Sequence, residues 1–214
     1  MEKTHRPRVL IADDHTLVAE ACSKLLEPEF NVVGVVGDGR ALLRAVPQLR
    51  PDVIVLDIGM PLLNGLDAGE QVKQAVPRVK LIYLTMNQDA ELASEAFRRG
   101  ASGYLLKTGA ASELAVAVRS ALKGKTHVSP QIVREMKPTL SRTGKSLPRP
   151  RITPRQREVL QLLAEGRTMK EVANVLALTP RTVAYHKYRI MEVLRLKSNA
   201  ELVQYAIRSR MIQG

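Results

Sequence analysis

The chain has 214 residues, with 33 Lys and Arg against 21 Asp and Glu, a net charge of +12. Hydrophobic residues make up 45% and charged residues 25%, which excludes a wholly disordered chain. One cysteine excludes an internal disulfide or cysteine-based metal site, and no apolar run nears the ~18 residues of a membrane span.

The single thiol and the polar first eight residues predict a cytoplasmic protein with no membrane partner. The charge excess is local. Up to Leu140 there are 18 Lys and Arg against 16 Asp and Glu, and from Ser141 onward 15 against 5. This asymmetry predicts two domains, the second facing a polyanion.

Short apolar, β-branched runs at 9–12, 32–36, 53–56, 81–84 and 104–106 predict buried strands. Helical periodicity over 16–26, 39–46, 64–75, 89–99 and 111–122 places a helix after each. Five alternations predict a doubly wound α/β domain with a five-stranded parallel sheet. Ligands of such sheets bind beyond the carboxyl ends of the strands. There the sequence supplies Asp13 and Asp14, then Asp57, Thr85 and Lys107, after the first, third, fourth and fifth strands. Gly37 and Asp38, after the second, read as loop. Clustered carboxylates repel unless a cation sits among them, and a hard ion such as Mg2+ suits them. A carboxylate can also take a phosphoryl group as nucleophile, with the metal, Thr85 and Lys107 holding its oxygens.

The set Asp13-Asp14, Asp57-Ile-Gly-Met-Pro61, Thr85 and Lys107 resembles the receiver domain of two-component response regulators, over residues ~7 to ~124. The resemblance implies a flavodoxin-like fold with Asp57 as phosphoacceptor and Thr85 and Lys107 assisting. It implies a Mg2+ site from Asp13, Asp14, Asp57 and the Gly59 carbonyl, Asp13 acting mainly through water. A cognate histidine kinase is the implied phosphodonor, and Tyr104 the switch aromatic that moves with Thr85. Such a domain catalyses only its own phosphorylation and dephosphorylation. Met60-Pro61 and Gly65 read as shaping the loop after Asp57, Cys22 as a small buried hydrophobe, and His15 as a helix-start residue within reach of the acid pair.

Regular patterning stops over 125–149, and residues 137–151 hold three prolines and a glycine, a linker composition. The chain thus divides into 1–124, a linker at 125–149 with at most a short helix over 128–136, and 150–214.

In the last segment Thr153 with Gln156, Thr168 with Glu171, and Ser198 with Glu201 read as capping boxes, and Thr179-Pro180 as a fourth helix start. Gly166 closes the first helix. The helices fall at 154–165, 169–177, 180–194 and 199–209, an all-α four-helix domain whose middle pair forms a helix-turn-helix. On the third helix, Val183, Ile190 and Leu194 share one side, while Arg181, Tyr185, Tyr188 and Glu192 share the other. Two outward tyrosines in so basic a segment suit a helix lying in the major groove.

Ile152-Thr-Pro-Arg-Gln-Arg-Glu-Val-Leu160, Ala164-Glu-Gly-Arg167, Lys170-Glu-Val-Ala173 and Thr179-Pro-Arg-Thr-Val183 with His186 resemble the LuxR-type (NarL/FixJ) DNA-binding domain. The resemblance implies double-stranded DNA as partner. Lys170, Arg181, Thr182, Lys187 and Arg189 would lie near the backbone, and Ala184, Tyr185 and Tyr188 would read bases. It further implies a homodimer on activation, with RNA polymerase as an additional partner. Ala177 stands at a turn position that relatives often fill with glycine. Two other readings are a Mg2+-dependent phosphatase with Asp57 as nucleophile and a DNA-binding protein indifferent to phosphorylation. The first needs a carboxylate just after Asp57, where residues 58–60 are Ile-Gly-Met.

Overall fold

The computed structural model describes residues 6–140 and 152–212. They belong to two compact units, each described by itself.

The first unit alternates strands β1 (Arg8–Ala12), β2 (Asn31–Val36), β3 (Val53–Asp57), β4 (Lys80–Thr85) and β5 (Gly103–Leu106) with helices α1 (Thr16–Leu26), α2 (Gly39–Leu49), α3 (Gly65–Ala75), α4 (Ala90–Arg98) and α5 (Ala110–Leu122). All strand pairs are parallel, in the order β2-β1-β3-β4-β5-β6. The sixth strand, β6 (His127–Val128), corrects the five-stranded expectation. It lies in the stretch read as linker and leads into α6 (Pro130–Leu140). Two residues carry too little pattern to announce a strand.

Val9, Ile11, Val53, Val55, Ile82, Leu84 and Leu105 face a core shared with Ala19, Cys22 and Leu26 of α1 and Leu114, Ala117 and Val118 of α5. Both faces of the sheet are covered, so β3 is buried at every residue and reads as a continuous apolar run rather than an alternating one. Helix α2 extends past the expected end at Val46 to Leu49, carrying Pro47 inside it. Arg50, in the left-handed region, ends it with its N–H on the Val46 carbonyl. Asp38, read as loop, is the N-cap of α2 and accepts the Ala41 N–H at 2.6 Å.

The second unit comprises α7 (Pro154–Ala164), α8 (Met169–Leu176), α9 (Pro180–Leu194) and α10 (Asn199–Arg208) around Val159, Leu160, Leu162, Val172, Val183, Ile190, Leu202 and Ala206. Thr153 with Gln156 and Thr168 with Glu171 form full capping boxes. The third is half a box. Ser198 accepts the Glu201 N–H, but the Glu201 carboxylate accepts from Lys197 instead of from Ser198. Gly166 follows α7 at φ +85°, and Ala177 ends α8 at φ 52° and ψ 47°. Among the described residues, no helix is long and apolar enough to cross a membrane.

Candidate functional site

Parallel strands deliver the acidic pocket. Asp57 is the last residue of β3, paired with Leu84 of β4, and Thr85 beside it pairs with Leu106 of β5. Asp13 follows β1, and Lys107 opens the short 3-10 turn after β5. The Lys107 ammonium lies 2.8 Å from Asp13 Oδ2 and 3.1 Å from Asp57 Oδ2, with both carboxylate side chains 3% exposed. Each oxygen is a buried acceptor facing the same ammonium.

Burial raises the Asp57 pKa above the usual carboxylate range. Attraction to Lys107 and the Gly59 N–H, which donates to the Asp57 carboxylate, pull it down without cancelling the rise. Burial works against the Lys107 charge, yet hydrogen bonding to Asp13 and attraction to both carboxylates hold its pKa above the usual lysine value. Asp14 stands at the solvent edge with its side chain 31% exposed. One ligand atom each from Asp13, Asp14, His15 and Asp57 lies within 4.8 Å of the others, a donor set that fits a divalent cation.

The loop after Asp57 doubles back on it. A Cβ on Gly65 would stand 1.9 Å from the Asp57 carbonyl oxygen, so only glycine permits this approach. Thr85 Oγ1 accepts the Asn87 N–H at 3.1 Å. The fully buried Tyr104 donates its hydroxyl to the Asn87 carbonyl at 3.2 Å, joining β5 to the same turn. Sequence reasoning gave no part to Ser129, which is fully buried beyond β6. Its hydroxyl donates to Glu113 at 2.7 Å and accepts the Leu106 N–H at 3.1 Å, bracing the corner that carries Lys107. Only its place after the unforeseen β6 could have flagged it.

In the second unit Thr179 caps α9 by accepting the Thr182 N–H at 3.1 Å. Val183 and Ile190 are fully buried, which turns Arg181, Tyr185, Tyr188 and Arg189 outward, all exposed. Tyr185 is 62% and Tyr188 64% exposed. Lys170 on α8 is exposed, whereas Thr182, Ala184 and Lys187 are half-buried. Thr182 also shares a hydroxyl–hydroxyl bond with Thr179, and Arg189 is paired with Glu192. Lys187 Nζ stands 6.0 Å above the Tyr188 ring.

Residues 9–119 match the response regulator receiver domain family, and residues 150–206 match the luxR family of bacterial regulatory proteins. The chain belongs to the NarL/FixJ response regulators. This response regulator is 34% identical to the oxygen regulatory protein NreC of Staphylococcus carnosus, over 96% of this chain and 99% of that one. It is equally close to the transcriptional regulatory protein LiaR of Bacillus subtilis, 34% identical over the same shares. The RcsB response regulator of Salmonella typhimurium has a similar solved structure, at 29% identity and a TM-score of 0.64, covering 94% of this chain and 97% of that one. A structure of two RcsB dimers bound to two parallel DNAs is similar at 30% identity and a TM-score of 0.61, with the same coverage. A receiver joined to a LuxR-type helix-turn-helix makes the protein a DNA-binding transcriptional regulator.

Proposed function

We propose that a cognate histidine kinase phosphorylates Asp57 and that the phosphorylated protein binds double-stranded DNA as a homodimer through α9. The observation that carries this reading is the Lys107 ammonium between Asp13 and Asp57, in a pocket open to solvent at Asp14. An Asp57 oxygen attacks the phosphorus of the donor phosphohistidine as the phosphorus–nitrogen bond breaks and the imidazole leaves with the bonding pair. A desolvated carboxylate is the more basic one, which favours attack. Lys107 is placed to hold one phosphoryl oxygen and the Thr85 hydroxyl another. Asp13, Asp14, Asp57 and the Gly59 carbonyl would hold Mg2+, which when bound neutralises charge on the phosphoryl oxygens. The chemistry stops at phosphorylation and dephosphorylation of Asp57 itself.

Thr85 and Tyr104 both bond to Asn87, so drawing Thr85 onto a phosphoryl group shifts the partner of the Tyr104 hydroxyl. This gives the switch a physical path. On α9, Tyr185, Tyr188 and the Ala184 methyl are the base-reading groups. Lys170, Arg181, Thr182, Lys187 and Arg189 face the phosphates. The RcsB dimers on DNA support the dimeric mode. A cytoplasmic location and contact with RNA polymerase belong to the same reading.

The test compares wild type with Asp57→Asn, each with and without a small phosphodonor and Mg2+. Intact-mass measurement should find one added phosphoryl group on wild type only, with dimerisation and tighter binding to genome-selected DNA. Equal association and DNA affinity in all four conditions would overturn the switch.

A further inference from the structure

We propose that His15 is a further protein ligand of the receiver's cation site, biasing it toward imidazole-accepting divalent ions such as Co2+ or Ni2+ relative to Mg2+. The inference rests on the reading of Asp13, Asp14 and Asp57 as that site. His15 is the N-cap residue of α1, yet its side chain makes no capping hydrogen bond. Instead the ring turns to the acids, with Nδ1 3.0 Å from Asp14 Oδ1 and 3.4 Å from Asp13 Oδ1. Its backbone contributes too: the His15 N–H donates to Asp13 Oδ1 at 2.9 Å, fixing that carboxylate against the start of α1.

The dimensions suit one ion. Ligands at about 2.1 Å from a metal stand about 3.0 Å apart in cis and about 4.2 Å in trans. The four donor atoms span at most 4.8 Å, so a few tenths of an ångström of side-chain motion closes the set. Asp13 Oδ2 and Asp57 Oδ2 are turned onto the Lys107 ammonium at 2.8 and 3.1 Å, which leaves Asp13 Oδ1 and Asp14 Oδ1 on the side that faces His15. The His15 side chain is 54% exposed, so the ion's remaining positions stay open to water and phosphoryl oxygens.

Chemistry decides the preference. Mg2+ is hard, retains water and takes oxygen ligands, and gains little from imidazole. Co2+ and Ni2+ bind imidazole nitrogen well and rank higher in the general order of divalent affinities. A site of carboxylates alone discriminates less, and a histidine beside the acid pair increases the preference.

The experiment measures Mg2+ and Co2+ binding by calorimetry to the full chain, its His15→Ala variant and its Asp57→Asn variant, with proton NMR of the Co2+ forms. Because His15 provides no cap, its removal leaves α1 intact. Loss of an imidazole ligand should weaken Co2+ about tenfold or more while changing Mg2+ by less than about twofold. Far-shifted imidazole ring-proton signals should appear in wild type and vanish in His15→Ala. Equal losses for both ions, or unchanged Co2+ signals in His15→Ala, would overturn the role of His15 while leaving the cation site standing. Unaltered Mg2+ binding in Asp57→Asn would instead overturn the site itself, and the inference with it.

Discussion

In the receiver, Asp13, Asp57 and Lys107 are at least nine-tenths buried and meet at 2.8 and 3.1 Å, whereas on α9 Tyr185 and Tyr188 stand more than 60% exposed beside an open Arg181. The pocket holds its opposed charges at short range in a fixed, buried geometry, so its energetics are local and weakly screened by salt. In the proposed function the helix face supplies half of an interface. Its energy appears only when a polyanion covers it, and then depends steeply on ionic strength. One protein thus pairs a site sensitive to ångström displacements with a surface sensitive to its surroundings.

The contrast breaks first at Gly65. In Gly65→Ala the new methyl meets backbone 1.9 Å away, and the loop after Asp57 must shift. Chemical denaturation should show the receiver destabilised by several kcal/mol, about as large as single substitutions produce. On the outward face of α9 no substitution should cost that much folding energy, and binding carries the effect. Tyr185→Ala or Tyr188→Ala should each lose about 1–3 kcal/mol of affinity on the preferred sequence, much less on random DNA. Arg181→Ala should weaken both sequences alike and reduce the slope of log affinity against log salt by about 1. Binding isotherms at several salt concentrations separate the two patterns.

A smaller effect tests the pocket's dryness. Burial raises the folded Asp57 pKa, so this group's stabilising contribution is present below the unfolded carboxylate value and lost as pH rises through the folded one. Asp57→Asn removes a carboxylate that would ionise there, while Lys107 keeps Asp13 at 2.8 Å. Thermal melts should find the variant more stable than wild type at neutral pH, with the gap closing as pH falls through the raised folded value toward about 4. A gap that widens on acidification would contradict it. The smallest effect belongs to Ala177→Gly. Relief of a left-handed alanine, offset by the entropy of glycine, should stabilise the helical unit by up to about 1 kcal/mol.

What the sequence made legible follows from range. Strands β1 to β5 announced themselves because each is a contiguous apolar run. Asp57, Thr85 and Lys107 stood out because strand ends are one-dimensional landmarks. Capping at Thr153 and Thr168 was legible because partner residues lie three apart. It was only half legible at Ser198, where Lys197 competes for the Glu201 carboxylate. Contacts across the fold left no such trace. Arg99 reaches Asp67 at 2.8 Å and Glu70 at 3.1 Å, tying α3 to the end of α4 across about thirty residues that no local pattern connects. The Ser129 hydroxyl between Leu106 and Glu113 is hidden for the same reason.

Cys22 carries a practical consequence. It is the chain's one thiol, 2% exposed on α1. Burial first, then the nearby Asp13 charge, pushes its pKa up to about 11. The folded protein is therefore close to inert toward alkylating and disulfide reagents at neutral pH, where the thiolate is the reacting species. Any labelling of wild type counts molecules whose first helix has lifted from the sheet. The rate of that labelling is a built-in clock for receiver opening, readable without adding a probe.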